Sequence, residues 1–235
     1  MQSFADAFGE AFRLIASFDA DLRAIVFLSL QVSLSAVVVA AIIGLPLGAF
    51  LAVSRFPGRT AIVVAITALM GLPPVVVGLI VYLLLSNSGV LGPLQLLYTP
   101  TAMIIAQSLL ITPIIAALAR QTIEDLNDEY HQQMTLFGLT SGQRLVTLLW
   151  EGRFSLMTAL LAGFGRAIAE VGAVIIVGGN INHVTRVMTT TIALETAKGN
   201  LALALGLGII LVSIAIAVNS LVFALRGTAE RVAYA

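Results

Sequence analysis

Five apolar runs, each about 20 residues or longer, dominate the chain and are enough to cross a hydrocarbon core about 30 Å thick. They cover 24–53, 60–85, 100–119, 156–177 and 201–225. Their ends carry turn or charge signals: Arg55 to Arg59 around Pro57-Gly58, Asn87-Ser88-Gly89, Arg120, Gly178-Gly179-Asn180, and Lys198-Gly199-Asn200. None of the runs alternates with period two, so the spans are read as helices rather than barrel strands. Composition agrees. Of the 235 residues, 59% are hydrophobic and 10% charged, against about 45–50% and 25% in soluble domains. The expected fold class is an all-α integral membrane protein with five transmembrane helices.

Residues 1–23 differ from the spans. Phe4, Phe8, Phe12 and Ile15 recur at helical spacing while Asp6, Glu10, Arg13 and Asp19 occupy other positions. This pattern predicts an amphipathic N-terminal helix lying along the bilayer surface. With the N-terminus outside, the cytoplasmic side collects Arg55, Arg59, Arg120, Arg144, Arg153, Arg226 and Arg231, and the outer side Arg13, Arg23, Arg186 and Lys198. That excess predicts an N-out, C-in, multi-pass protein of the cell membrane. The chain then divides into the surface helix 1–23, a membrane domain 24–225 with a cytoplasmic loop 120–155, and a tail 226–235. No internal repeat is evident, and five helices enclose little pathway, so a homodimer is expected to line the route.

Whole classes of chemistry are missing. Twelve Lys+Arg balance twelve Asp+Glu, which removes the basic footprint of a nucleic-acid binder. There is no cysteine, and the two histidines, His131 and His183, have no metal-ligand spacing. The only lysine, Lys198, is followed by Gly199-Asn200, so no phosphate-cradling P-loop exists. No catalytic residue, cofactor or metal is expected, and any energy must come from a partner.

Three features carry information. Arg166 and Glu170 lie in the fourth span, four residues apart, and are expected to share one helix face. Charge at mid-bilayer costs about 2.5–3.5 kcal/mol, so neither should face lipid. The two form a structural ion pair, or one or both line a translocation path or close a gate. Pro73-Pro74 in the second span predicts a kink or interruption, either passive or shaping a pathway. The loop 121–153 is predicted to hold two short helices joined by a turn at Gly138. Met134, Leu136, Phe137, Leu139, Leu145, Val146, Leu148, Leu149 and Trp150 make it too apolar for free solvent.

This loop and the helix after it resemble the permease subunits of type I ABC importers. Gly138 stands at the glycine of their loop signature, with Gln132-Gln133-Met134 where Glu-Ala-Ala is usual and Leu148-Leu149-Trp150-Glu151 in place of Ile-x-Leu-Pro. Phe164 to Ala173, Gly179-Asn180-Ile181, Thr185-Arg186 and Leu72-Pro73-Pro74 through Gly78 are similar to the molybdate, tungstate and sulfate permeases. Val171 to Val174 and Arg186 to Thr196 look most like the tungstate-type branch. The resemblance implies a homodimer of permeases, a cytoplasmic ABC ATPase dimer and an extracytoplasmic oxyanion-binding protein. It also implies that Gln132, Gln133, Met134, Thr135, Phe137, Gly138, Thr140 and Gly142 belong to a coupling helix that docks on the ATPase. Molybdate or sulfate is the alternative cargo. A self-contained secondary transporter or a membrane enzyme is the alternative class.

Overall fold

A computed structural model describes residues 4–17 and 20–233, and these are helical almost throughout. In chain order the helices are α1 (Phe4–Ser17), α2 (Ala20–Val53), α3 (Arg59–Leu69), α4 (Pro74–Leu85), α5 (Pro100–Leu136), α6 (Ser141–Glu151), α7 (Arg153–Ile168), α8 (Gly172–Gly178), α9 (Met188–Ala197) and α10 (Leu201–Ala233). Three of them, α2, α5 and α10, are each long and apolar enough to cross a membrane, and the number rises to five if each bent helix pair counts as one span. The chain forms two compact units.

One unit takes the chain up to Ser35, Pro74–Gln107 and Ile168–Leu221. Its centre is the packing of α4 on α8. Pro74 starts α4 at the first helical position, where its missing N–H costs no hydrogen bond. Val77, Gly78, Val81 and Leu85 make the buried face, while Leu79, Ile80, Leu83 and Leu84 stay exposed. Gly78 lets the two backbones meet, because a Cβ there would lie 2.8 Å from Ala173 Cα. In α1, Ala11 is fully buried and approached by Gly206 of α10, whereas Phe12 is exposed. Phe4, Asp6, Glu10, Ile15 and Asp19 of the surface-helix pattern have side chains outside the described set.

The other unit takes Ala36–Pro73, Ser108–Ala167 and the chain from Val222. Its first seam is α2 on α5, where Gly44 and Gly48 form a small-x-x-x-small ridge of the kind that allows helix axes to approach closely in lipid. A Cβ on Gly48 would sit 2.4 Å from the Ala116 carbonyl oxygen and 2.8 Å from Ala119 Cβ. Ser108 Oγ ties the same helices by donating to the Ala36 carbonyl at 3.4 Å. A second apolar core brings Ala49, Ala52, Ala119, Ile123, Met134, Leu148 and Leu156 together. Pro46 and Pro113 sit inside α2 and α5 without ending them.

The helix bounds correct three expectations. The helix of the third span does not stop at Arg120: α5 runs on to Leu136, carried by the Arg120–Glu124 ion pair one turn apart and by burial of Ile123 and Met134. Only the second of the two short loop helices is separate, as α6. The fourth span is not one helix over 156–177 but is interrupted at 169–171. The second span is interrupted at 70–73, just before Pro74, as its prolines predict. A further helix, α9, lies in the stretch between Gly178 and Asn200 that the sequence leaves as a loop.

Candidate functional site

The end of α5 is built to stop and turn. Gly138 takes φ +65°, a conformation in which a Cβ costs about 1–2 kcal/mol. The Leu139 N–H donates to the Met134 carbonyl and the Gly138 N–H to the Thr135 carbonyl, both at 3.1 Å. Those are the two bonds of a Schellman motif, and its apolar contact is present as well, since Leu139 packs on the cluster that holds Met134. Thr140 then opens α6 with a capping box: its Oγ1 accepts the Gln143 N–H, and Gln143 Oε1 accepts the Thr140 N–H at 2.9 Å. Arg144 closes the corner by donating to Thr135 Oγ1 at 2.9 Å. After Gly152 the chain bends by 73° into α7.

This corner sorts the predicted coupling residues. Gln132, Gln133, Thr135, Phe137, Gly138, Thr140 and Gly142 are exposed. Met134 is not: only 4% of it is accessible, and it packs with Leu148 in the core, so it holds the corner together rather than presenting a surface. Phe137 of that set has exposed apolar neighbours outside it. Leu136 is 86% exposed, Phe137 81%, and Val146 and Trp150 66% each. Trp150 is further fixed by the Arg153 guanidinium, 4.6 Å from its ring centre.

Beside the corner lies a charge cluster that motif reading missed. Arg59, the first residue of α3, donates from Nε to the Leu51 carbonyl at 2.6 Å, capping the end of α2. Its Nη2 binds Glu124 Oε1 at 2.7 Å, and Arg120 takes the other oxygen of the same carboxylate. One carboxylate thus holds two guanidinium groups and ties the α2–α3 turn to α5. Arg55, Asp128, His131 and Arg144 join this cluster around a 540 Å³ polar cavity.

Glu170 is buried in the interruption after α7. Its Oε1 accepts the Ala173 N–H at 3.0 Å, so the carboxylate supplies an acceptor that the first turn of α8 lacks. Its own carbonyl accepts from Thr189 Oγ1 at 2.8 Å. Arg166 sits in the last turn of α7, half-buried. Because α7 ends at Ile168, the two residues do not share a continuous helix face. Pro73 falls in the interruption before α4 and Pro74 inside its first turn.

The threonines of α9 anchor the chain around Glu170. Thr190 Oγ1 donates to Asn180 Oδ1 at 2.9 Å, and the Met188 N–H donates to Ser29 Oγ at 2.8 Å. At the far end, Glu195 is clamped by Lys198 at 2.8 Å and Asn200 at 3.0 Å. The Lys198 hydrogen bond, more than the opposing burial, holds the Glu195 carboxyl below its ordinary value. No group of three or more His, Asp or Glu side chains among the described residues could hold a metal ion.

Residues 44–231 match the family described as binding-protein-dependent transport system inner membrane component. The chain is 39% identical over 226 residues to the tungstate uptake system permease protein TupB of Peptoclostridium acidaminophilum, covering 96% of this chain and 99% of that one. It is 40% identical over 185 residues to a probable anion ABC transporter permease protein of Haloferax volcanii, with 77% and 80% covered. A second TupB, from Campylobacter jejuni, is 42% identical over 133 residues, 57% of this chain and 56% of that one.

Proposed function

Because the chain belongs to the family of binding-protein-dependent transport system inner membrane components, we propose that it is the permease of an ATP-driven tungstate importer. The observation that carries the cargo is the 39% identity to a tungstate uptake permease along nearly the whole of both chains. The chain supplies the membrane pathway and hydrolyses nothing itself. A separate ABC ATPase dimer drives it, and an extracytoplasmic binding protein selects and delivers the oxyanion.

In this reading the protein crosses the membrane five times, through α2, α3 with α4, α5, α7 with α8, and α10, with α6 on the cytoplasmic side, the N-terminus outside and the C-terminus in the cytoplasm. The arginine excess at one set of span ends supports that orientation. Residues 1–23 lie along the outer surface, 24–225 form the membrane domain, and 226–235 extend into the cytoplasm. Two copies assemble, since one set of spans encloses little pathway. The corner at 132–142 with α6 is the coupling segment, supported by its exposed Leu136, Phe137, Val146 and Trp150. ATP-driven closure of the ATPases displaces both coupling segments. Through the Glu124 clamp that displacement reaches α2 and α3, and the bundles alternate between outward- and inward-facing forms. The second span bends at the interruption before Pro74, the fourth is interrupted at Glu170, and Arg166 and Glu170 line or gate the path.

Reconstitution tests the proposal. Alone in liposomes the permease neither hydrolyses ATP nor passes tungstate; with its ATPase and binding protein, uptake appears and requires ATP. Sustained flux through the permease alone refutes it in favour of a secondary transporter. Titrating the binding protein with tungstate, molybdate and sulfate decides the cargo.

A further inference from the structure

The coupling corner contains a socket as well as a projection. Between the end of α5 and α6 lies a cavity of 240 Å³, mostly apolar in lining. Met134 and Leu148, both buried, form its base; Leu139 makes a wall; Phe137, Thr147 and Glu151 stand at the mouth. None of the lining residues is basic, so the exposed Glu151 carboxylate gives the mouth a negative charge.

The surroundings determine what can fill it. Asp125, Asp128, Glu129, His131 and Gln132 are exposed along the last turns of α5, and Ser141, Gly142 and Gln143 along the first turn of α6. Such a surface belongs in water, so an acyl chain is not the occupant. Phe137 at its mouth and the adjoining Leu136 are both exposed, apolar surface of the kind that marks an interaction site. Pockets that receive one anchoring side chain at the centre of such a patch are where interface binding energy concentrates.

We propose that this socket receives a single protruding apolar side chain of the ATPase, flanked there by a basic residue that pairs with Glu151. The inference rests on the coupling reading above and deepens it. A projection alone transmits a push, because it loses contact when its partner withdraws. A projection beside a filled socket interlocks, so the ATPase also draws the corner back when its dimer reopens.

The absence of native cysteine makes the test direct. Thr147→Cys and Val146→Cys are compared for maleimide labelling in purified permease, with and without the ATPase; Val146 lies on the same helix outside the socket, and Ser88→Cys is the distant control. The expected result is at least tenfold slower labelling at both α6 positions and no change at Ser88. Thr147→Trp, which fills the mouth from an exposed position, weakens ATPase association at least tenfold, and Glu151→Lys does the same with a salt-sensitive deficit. Protection of Val146 combined with normal ATPase binding by Thr147→Trp overturns the socket and leaves the coupling reading intact. Protection of neither α6 position overturns both.

Discussion

Gly48→Ala should destabilise the protein although alanine is the better helix former. In an ordinary helix interior the change stabilises by about 0.5–1 kcal/mol. Here the added methyl would lie 2.4 Å from the Ala116 carbonyl oxygen and 2.8 Å from both Ala119 Cβ and the Arg120 backbone nitrogen. Two of those neighbours are backbone, so relief requires α2 and α5 to separate. Overpacking costs about 1–3 kcal/mol, and a backbone collision belongs at the upper end. The net loss is then about 2 kcal/mol, or roughly 30-fold in the unfolding equilibrium. Gly165 supplies the control, since a Cβ there meets nothing within 4 Å; Gly165→Ala should be neutral or more stable by up to about 1 kcal/mol. The assay is reversible unfolding in mixed micelles titrated with SDS, read by the single tryptophan, Trp150, which lies in the same unit as both glycines. A Gly48→Ala midpoint at or above that of the parent would refute the close α2–α5 approach.

Three further outcomes are expected. Gly138→Pro, or a charge at Phe137, should leave the permease inserted but reduce ATPase co-purification, because the first breaks the left-handed turn and the second charges the exposed patch; unchanged association and transport would contradict this. Glu170→Leu should cost about 1–3 kcal/mol by leaving the Ala173 N–H without its acceptor, whereas Glu170→Gln keeps an oxygen there and should cost less. A double-mutant cycle of Glu170→Leu with Arg166→Leu then measures coupling between the charges, and strict additivity means they do not pair. Glu195, held below its ordinary value by Lys198, contributes stability at pH values above the usual carboxylate range that is lost as pH falls through its lowered folded value. Lys198→Met should therefore lower thermal stability at pH 7, with the gap closing below about pH 4; a gap independent of pH would exclude the linkage.

The long apolar helices α2, α5 and α10 were legible because hydropathy is a property of each residue by itself. Helix ends were not. Arg120 reads as the end of the third span, yet Glu124 one turn later neutralises it and Ile123 and Met134 keep one face apolar, so α5 continues. Glu170 reads as lying on the same helix as Arg166, yet it falls beyond the end of α7, where its carboxylate accepts from the Ala173 N–H. The Gly44-to-Gly48 spacing is a local pattern that the sequence carries, but hydropathy alone does not single it out. The Arg59–Glu124 contact joins residues 65 positions apart and leaves no local trace. The Schellman turn lies between these cases: Gly138 marks where it falls, and only the folded chain shows that Met134 is consumed in building it.

Helix α6 is delimited by geometry that is complete within a few residues on each side: a glycine turn and capping box before it, and the Gly152 corner after it. Apart from Gln143 and Arg144, which close the first corner, neither boundary depends on which side chains occupy the exposed face of 141–151. The segment is therefore a natural unit of exchange. On the coupling reading proposed above, recombination between related permeases at these two corners would exchange one docking surface for another while the spans are inherited unchanged. On that reading a change of ATPase partner requires no change in the membrane helices.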